Sequence, residues 1–119
     1  MQTPGSPLQL PEPIASYFAH EASDPRAVAR AFSDDALVYD EGHEHRGRAA
    51  IAAWNADVIG RYDFRSEPLT FETRGAETTV TARVSGNFPG SPVQLGLRFT
   101  VTGELISRLE IGASGSTAG

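Results

Sequence analysis

The chain has 119 residues, 39% of them hydrophobic and 21% charged, with a net charge of −5. That is enough for one hydrophobic core, a composition unlike that of disordered chains, and an acidic balance that argues against a nucleic-acid partner. All 10 cationic residues are arginine and there is no cysteine, which excludes a Schiff-base or phosphate-loop lysine, a thiolate nucleophile, a disulfide and a cysteine zinc site.

The opening "MQTPGSPLQLPEP" lacks a basic region followed by an apolar one, and no run approaches the roughly 18 apolar residues of a membrane span. A cytoplasmic protein with no membrane partner is expected. Residues 1–11, rich in proline, read as an extended arm, and 113–119, "ASGSTAG", as a flexible tail. Between them, 12–112 forms one α+β domain.

Pro11 to Glu21 carries Ile14, Tyr17 and Phe18 at helical spacing. Asp24 then supplies an N-cap oxygen and Pro25 a first helical position, and Val28, Ala31 and Phe32 continue an apolar stripe. "ALVYD" reads as a strand and "HEH" as the returning hairpin arm. From Gly47 to Gly60, Ile51, Trp54 and Val58 mark the longest helix, with Arg48, Asn55 and Asp57 free to face elsewhere. After Tyr62 the period becomes two, and "RGAE", "FPGSP" and "VTGE" separate four strands of a predicted antiparallel meander.

Chemistry has few places to reside. His43 and His45 share one strand face, a spacing that suits a metal, but no acid follows at ligand distance, so no metal is assigned. Asp40 ends an apolar strand; if buried, its carboxyl becomes a candidate base, provided a donor such as Tyr17 stabilises the charge that develops opposite it. Local periodicity alone favours Tyr17 as a core aromatic of the first helix. Arg108 anchors a polar ligand group only if it points inward. There is no nucleophile elbow, phosphate-binding loop or dinucleotide fingerprint, so no cofactor is expected.

The order "PIASYFAHEASDPRAVARAFSDDALVYDEG", then "HRGRAAIAAW", then four strands, resembles the SnoaL-like members of the nuclear transport factor 2-like superfamily, which includes the ketosteroid isomerases. The resemblance spans about residues 12–112. It rests on Tyr17 in the first helix, the "FSDDALVYD" strand entry, and Gly47, Ile51 and Trp54 in the third helix.

It implies a cone-shaped, cystatin-like α+β fold, a strongly curved antiparallel sheet wrapped around three helices, with an apolar pocket and homodimers formed through the sheet. It also implies Asp40 as a proton-moving base and Tyr17 as donor to the substrate oxygen. Candidate ligand-binding residues of such a pocket are Phe18, Phe32, Val38, His43, His45, Trp54, Leu95, Phe99 and Arg108, with His43 or His45 as auxiliary acid or base. Leu95 falls where the isomerases carry a second, protonated donor, which departs from steroid isomerisation.

Two functional classes follow. One is a cofactor-independent isomerase, cyclase or hydratase acting on a small hydrophobic carbonyl compound. The other is a non-catalytic module that binds a hydrophobic small molecule or dimerises.

Overall fold

The computed structural model describes residues 9–113. The sequence-predicted arm and tail therefore lie almost wholly outside the described residues, and Ala113 closes the last strand. The elements run α1 (Glu12–His20), α2 (Pro25–Arg30), β1 (Phe32–Asp40), β2 (His43–Arg46), α3 (Arg48–Arg61), β3 (Phe64–Arg74), β4 (Glu77–Gly86), β5 (Val93–Thr102) and β6 (Leu105–Ala113). Among the described residues no helix is long and apolar enough to cross a membrane.

The Asp24 side chain accepts from the Ala27 amide at 3.1 Å, with Pro25 next in line, so α2 starts where the sequence predicts. It ends sooner than predicted: Phe32 opens β1 rather than continuing the helical stripe. The Ala31 carbonyl accepts from the Ile106 amide at 2.9 Å, drawing the chain into the sheet at that point.

One six-stranded sheet has the order β2-β1-β6-β5-β4-β3. The meander from β3 to β6 is antiparallel, as its turns predict, whereas β1 joins β6 in parallel. Parallel pairing needs a crossover, which α3 and the meander provide. Strands β2 and β3 remain as edges, so the sheet curves without closing. Register shifts in β3, between β1 and β6, and between β5 and β6 are the irregularities that bend it. Pro68 sits beside the β3 shift on an edge strand, where a missing amide is tolerated.

The helices cover one sheet face, and the core between the layers contains Ile14, Val28, Phe32, Ala36, Val38, Ile51, Val80, Phe99, Ile106 and Leu109. Period-two alternation along β1 sends Ala36 and Val38 into this layer, and Asp40 follows in the same phase. The two-residue loop Glu41-Gly42, with both φ values positive, then closes a tight hairpin onto His43.

Helix α3 is fixed to β1 at its start. The Gly47 amide donates to the Ala36 carbonyl at 2.8 Å, and Arg48 Nε donates to the Phe32 carbonyl at 2.8 Å. This anchoring directs Trp54, nearly two turns later, toward the end of β1.

Where β4 ends against the start of β3 the backbones approach closely: a Cβ on Gly86 would meet the Asp63 carbonyl oxygen at 2.5 Å and Phe64 Cα at 3.0 Å. At Gly112, on β6, a Cβ would meet nothing within 4 Å. Gly86→Ala is expected to cost about 1–3 kcal/mol, as forced overpacking does. Gly112→Ala is expected to leave the urea midpoint within experimental error or raise it slightly. Equal midpoints for both variants would contradict the close approach.

Candidate functional site

At the end of the sheet where β1 finishes, the core gives way to a cavity of about 400 Å³, within the size range of small-molecule sites. Strand register assembles its floor. Asp40 lies beside Ile111, Ile111 beside Leu97, and Val84 beside Ser66. These residues line the cavity together with Val93 and Leu95 of β5, and Tyr17, Trp54, Asn55 and Val58 from the helices complete it. Tyr62, Phe64 and Phe88 add aromatic wall. The surface is mainly apolar and carries a few polar groups, the usual makeup of a ligand cavity.

The two sequence-predicted central residues meet here: Asp40 and Tyr17 both line the cavity. Trp54 Nε1 donates to Asp40 Oδ2 at 3.0 Å, which fixes that carboxylate and gives the indole a partner. Tyr17 is 2% exposed. Burial raises its pKa well above the ordinary phenol value, and the negative charges of Glu21 and Asp40 raise it further. At neutral pH it is a phenol with a proton to donate.

The remaining predicted wall residues divide. Trp54 and Leu95 line the cavity. Phe32, Val38 and Phe99 do not: they are fully buried beneath it in the core. Phe18 is half-buried and packs edge-on against Tyr17 and Phe99, at centroid distances of 5.2 Å and 5.9 Å. These aromatics set the position of Tyr17 without touching the cavity.

His43 is exposed, its Nδ1 3.1 Å from the Glu41 carbonyl oxygen. His45 meets the site only through Trp54, with ring centroids 5.8 Å apart. Arg108 belongs to the outer face of the sheet, pairing with Glu110 and lying over the Tyr39 ring at 5.6 Å. Alternation explains it, since its neighbour Leu109 is the residue that enters the core. Among the described residues no three potential ligands of the His, Asp or Glu type cluster as a metal site would require.

Sequence reasoning missed the most perturbed carboxyl. Glu21 is 6% exposed, lines the cavity, and has an oxygen, Oε2, without a hydrogen-bond partner. Burial pushes its pKa up to about 7, and the Ser66 and Tyr17 hydroxyls nearby moderate the rise. The one local cue is weak: Glu21 follows Tyr17 by four residues, on the same helix face, at a helix end where a charged residue is ordinarily solvated. Asn55, read as free to face elsewhere, is 2% exposed. Its Nδ2 donates to the Glu21 backbone carbonyl at 2.9 Å, which satisfies a carbonyl at the end of α1 and ties α3 to it.

The profile of the SnoaL-like domain family matches residues 14–109. No curated protein matches the chain at a significant level. Among solved structures, a Sinorhizobium meliloti protein provisionally described as a polyketide cyclase is 40% identical, with 86% of this chain and 94% of that one covered and a TM-score of 0.82.

A hypothetical protein from Catenulispora acidiphila DSM 44928, with a ketosteroid isomerase-like fold and solved in complex with trimethylamine, is 22% identical. There the coverage is 92% of this chain and 90% of that one, with a TM-score of 0.81. The epoxide hydrolase/cyclase-like enzyme SalBIII, of pyran ring formation in the polyether salinomycin, is 19% identical over 88% of this chain and 90% of that one, with a TM-score of 0.75. These last two establish likeness of fold. With the family profile spanning both the Tyr17 helix and the Asp40 strand, the chain belongs to the SnoaL-like domain family.

Proposed function

We propose that the cavity receives a small hydrophobic carbonyl compound and moves a proton on it without a cofactor, in an isomerase, cyclase or hydratase type of reaction. The observation that carries this reading is the placement of Asp40 and Tyr17 on one cavity, with the Asp40 carboxylate held by Trp54. Asp40 takes a proton from carbon next to the carbonyl. The charge that develops on the carbonyl oxygen is met by the Tyr17 O–H, whose burial keeps it protonated. Returning the proton to another carbon gives isomerisation; attack of the carbanion on a second carbonyl forms a C–C bond, and the alkoxide that results takes the proton back from Asp40, which completes cyclisation.

The 40% identity to the protein provisionally described as a polyketide cyclase supports an activity of this class. Leu95, an apolar wall where the isomerases place a second donor, supports the alternative of a binding module. The proposal also places the protein in the cytoplasm and pairs two copies through the sheet.

Asp40→Asn retains an oxygen to accept from Trp54 and so preserves the local fold. On a substrate identified by thermal-shift screening of steroids, polyketide-like phenols and related carbonyl compounds, this change is expected to lower turnover about 10²–10⁴-fold. Tyr17→Phe is expected to lower it about 10²–10³-fold. Ligands that bind but are recovered unchanged from the wild-type protein support the binding module; unaltered turnover in Asp40→Asn removes Asp40 from the chemistry.

The cavity also stores a proton near neutrality. Glu21 has an ordinary value of 4.5, expected in the unfolded chain, and a folded value of about 7. Between these, the unfolded chain releases a proton that the folded one retains, so stability falls as pH rises and levels off above the folded value. The full loss is about 3 kcal/mol. Glu21→Gln is expected to flatten this segment of the stability curve relative to wild type, measured by urea unfolding across the same pH window. Parallel curves would place the buried proton elsewhere.

A further inference from the structure

Two buried acceptors in the cavity wall have no donor. Glu21 Oε2 and Asn55 Oδ1 are both without a hydrogen-bond partner among the described residues, and their side chains are at least nine-tenths buried. The Asn55 amide is oriented by its other end. Nδ2 donates to the Glu21 carbonyl, and the flipped amide would set two oxygens against each other, so Oδ1 is the atom left over.

Buried polar atoms in folded proteins are ordinarily paired, and unpaired ones mark an unfilled role. The groups near Glu21 do not fill it. The Tyr17 hydroxyl on α1 and the Ser66 hydroxyl on β3 approach its carboxyl, yet Oε2 remains open. Arg61, the cation of the cavity wall, is engaged by Asp57 at 2.7 Å and lies over the Tyr62 ring at 5.6 Å. At Asp40 the same requirement is already met, since its Oδ2 accepts from Trp54.

We infer that Glu21 Oε2 and Asn55 Oδ1 form a polar subsite that binds a hydrogen-bond donor of the ligand, a hydroxyl or a protonated amine, carried on an otherwise apolar or aromatic body. The subsite rests on the reading of the cavity as the place of a small apolar ligand, and does not depend on proton transfer at Asp40. It selects among carbonyl compounds of similar shape for those bearing a donor at the α1 end. Burial without a partner is unfavourable to the empty protein, so replacing Glu21 by an apolar side chain of similar length stabilises the fold while removing the selection.

Three probes of nearly equal body test this above about pH 8, where the Glu21 carboxyl is ionised and only accepts: toluene, benzyl alcohol and benzylamine, titrated by calorimetry into wild-type protein, Glu21→Met and Glu21→Gln. Wild type is expected to bind benzyl alcohol or benzylamine at least tenfold more tightly than toluene. Glu21→Met is expected to melt at a higher temperature and to lose that preference. Glu21→Gln keeps the shape and one acceptor: retention of the preference identifies a hydroxyl ligand, and its loss for benzylamine identifies a charge-paired ammonium.

Equal binding of all three probes to wild type overturns the subsite while leaving the cavity as an apolar binding site. Absence of binding by any of them overturns both. A lower melting temperature for Glu21→Met with the preference intact assigns Glu21 a structural role and also overturns the subsite.

Discussion

The polar end of the cavity depends on one hydrogen bond, from Asn55 Nδ2 to the Glu21 carbonyl. It ties the middle of α3 to the C-terminal end of α1, and so brings together two residues separated by two strands in the chain. It also fixes which atom of Asn55 is left without a partner. With α3 anchored to β1 at Gly47 and Arg48, the same helix presents Trp54 to Asp40 and Asn55 to Glu21 from adjacent positions. Rotation of α3 would disengage both.

Two of the three acidic residues lining the cavity, Asp40 and Glu21, therefore have different environments. Asp40, at the hairpin end of β1, has an indole donor; Glu21, enclosed at the end of α1, has an oxygen with none. An unpartnered buried carboxyl costs about 1–3 kcal/mol or more, and a domain of this size has little stability to spare. Such a group is retained where it has something to do.

The elements themselves were legible because their signals are local. Period two in the meander, the Asp24-Pro25 start of α2 and the spacing of Ile51, Trp54 and Val58 all concern neighbours in sequence. The parallel pairing of β1 with β6 was not, since nothing within either strand specifies a partner some 70 residues away in the chain. Asp40 was legible as the end of an apolar strand, and its association with Tyr17 through the family resemblance, since the helical stripe by itself marks Tyr17 as core. Glu21 and Asn55 were not: a charged residue at a helix end and an amide on a helix face are ordinarily solvated, and only tertiary packing buries them. Conversely, Phe18, Phe32, Val38 and Phe99 satisfied the criterion of apolar wall because core and cavity lining are the same kind of surface, distinguished only by whether a neighbour fills the space.

The fold encloses the Glu21 carboxyl without fully pairing it. The most direct test is ¹³C NMR of the side-chain carboxyl in uniformly glutamate-labelled protein, assigned by the signal missing from Glu21→Gln and followed from acid to alkaline pH. A titration midpoint near 7 is expected. A midpoint near 4.5, the ordinary glutamate value, would contradict it.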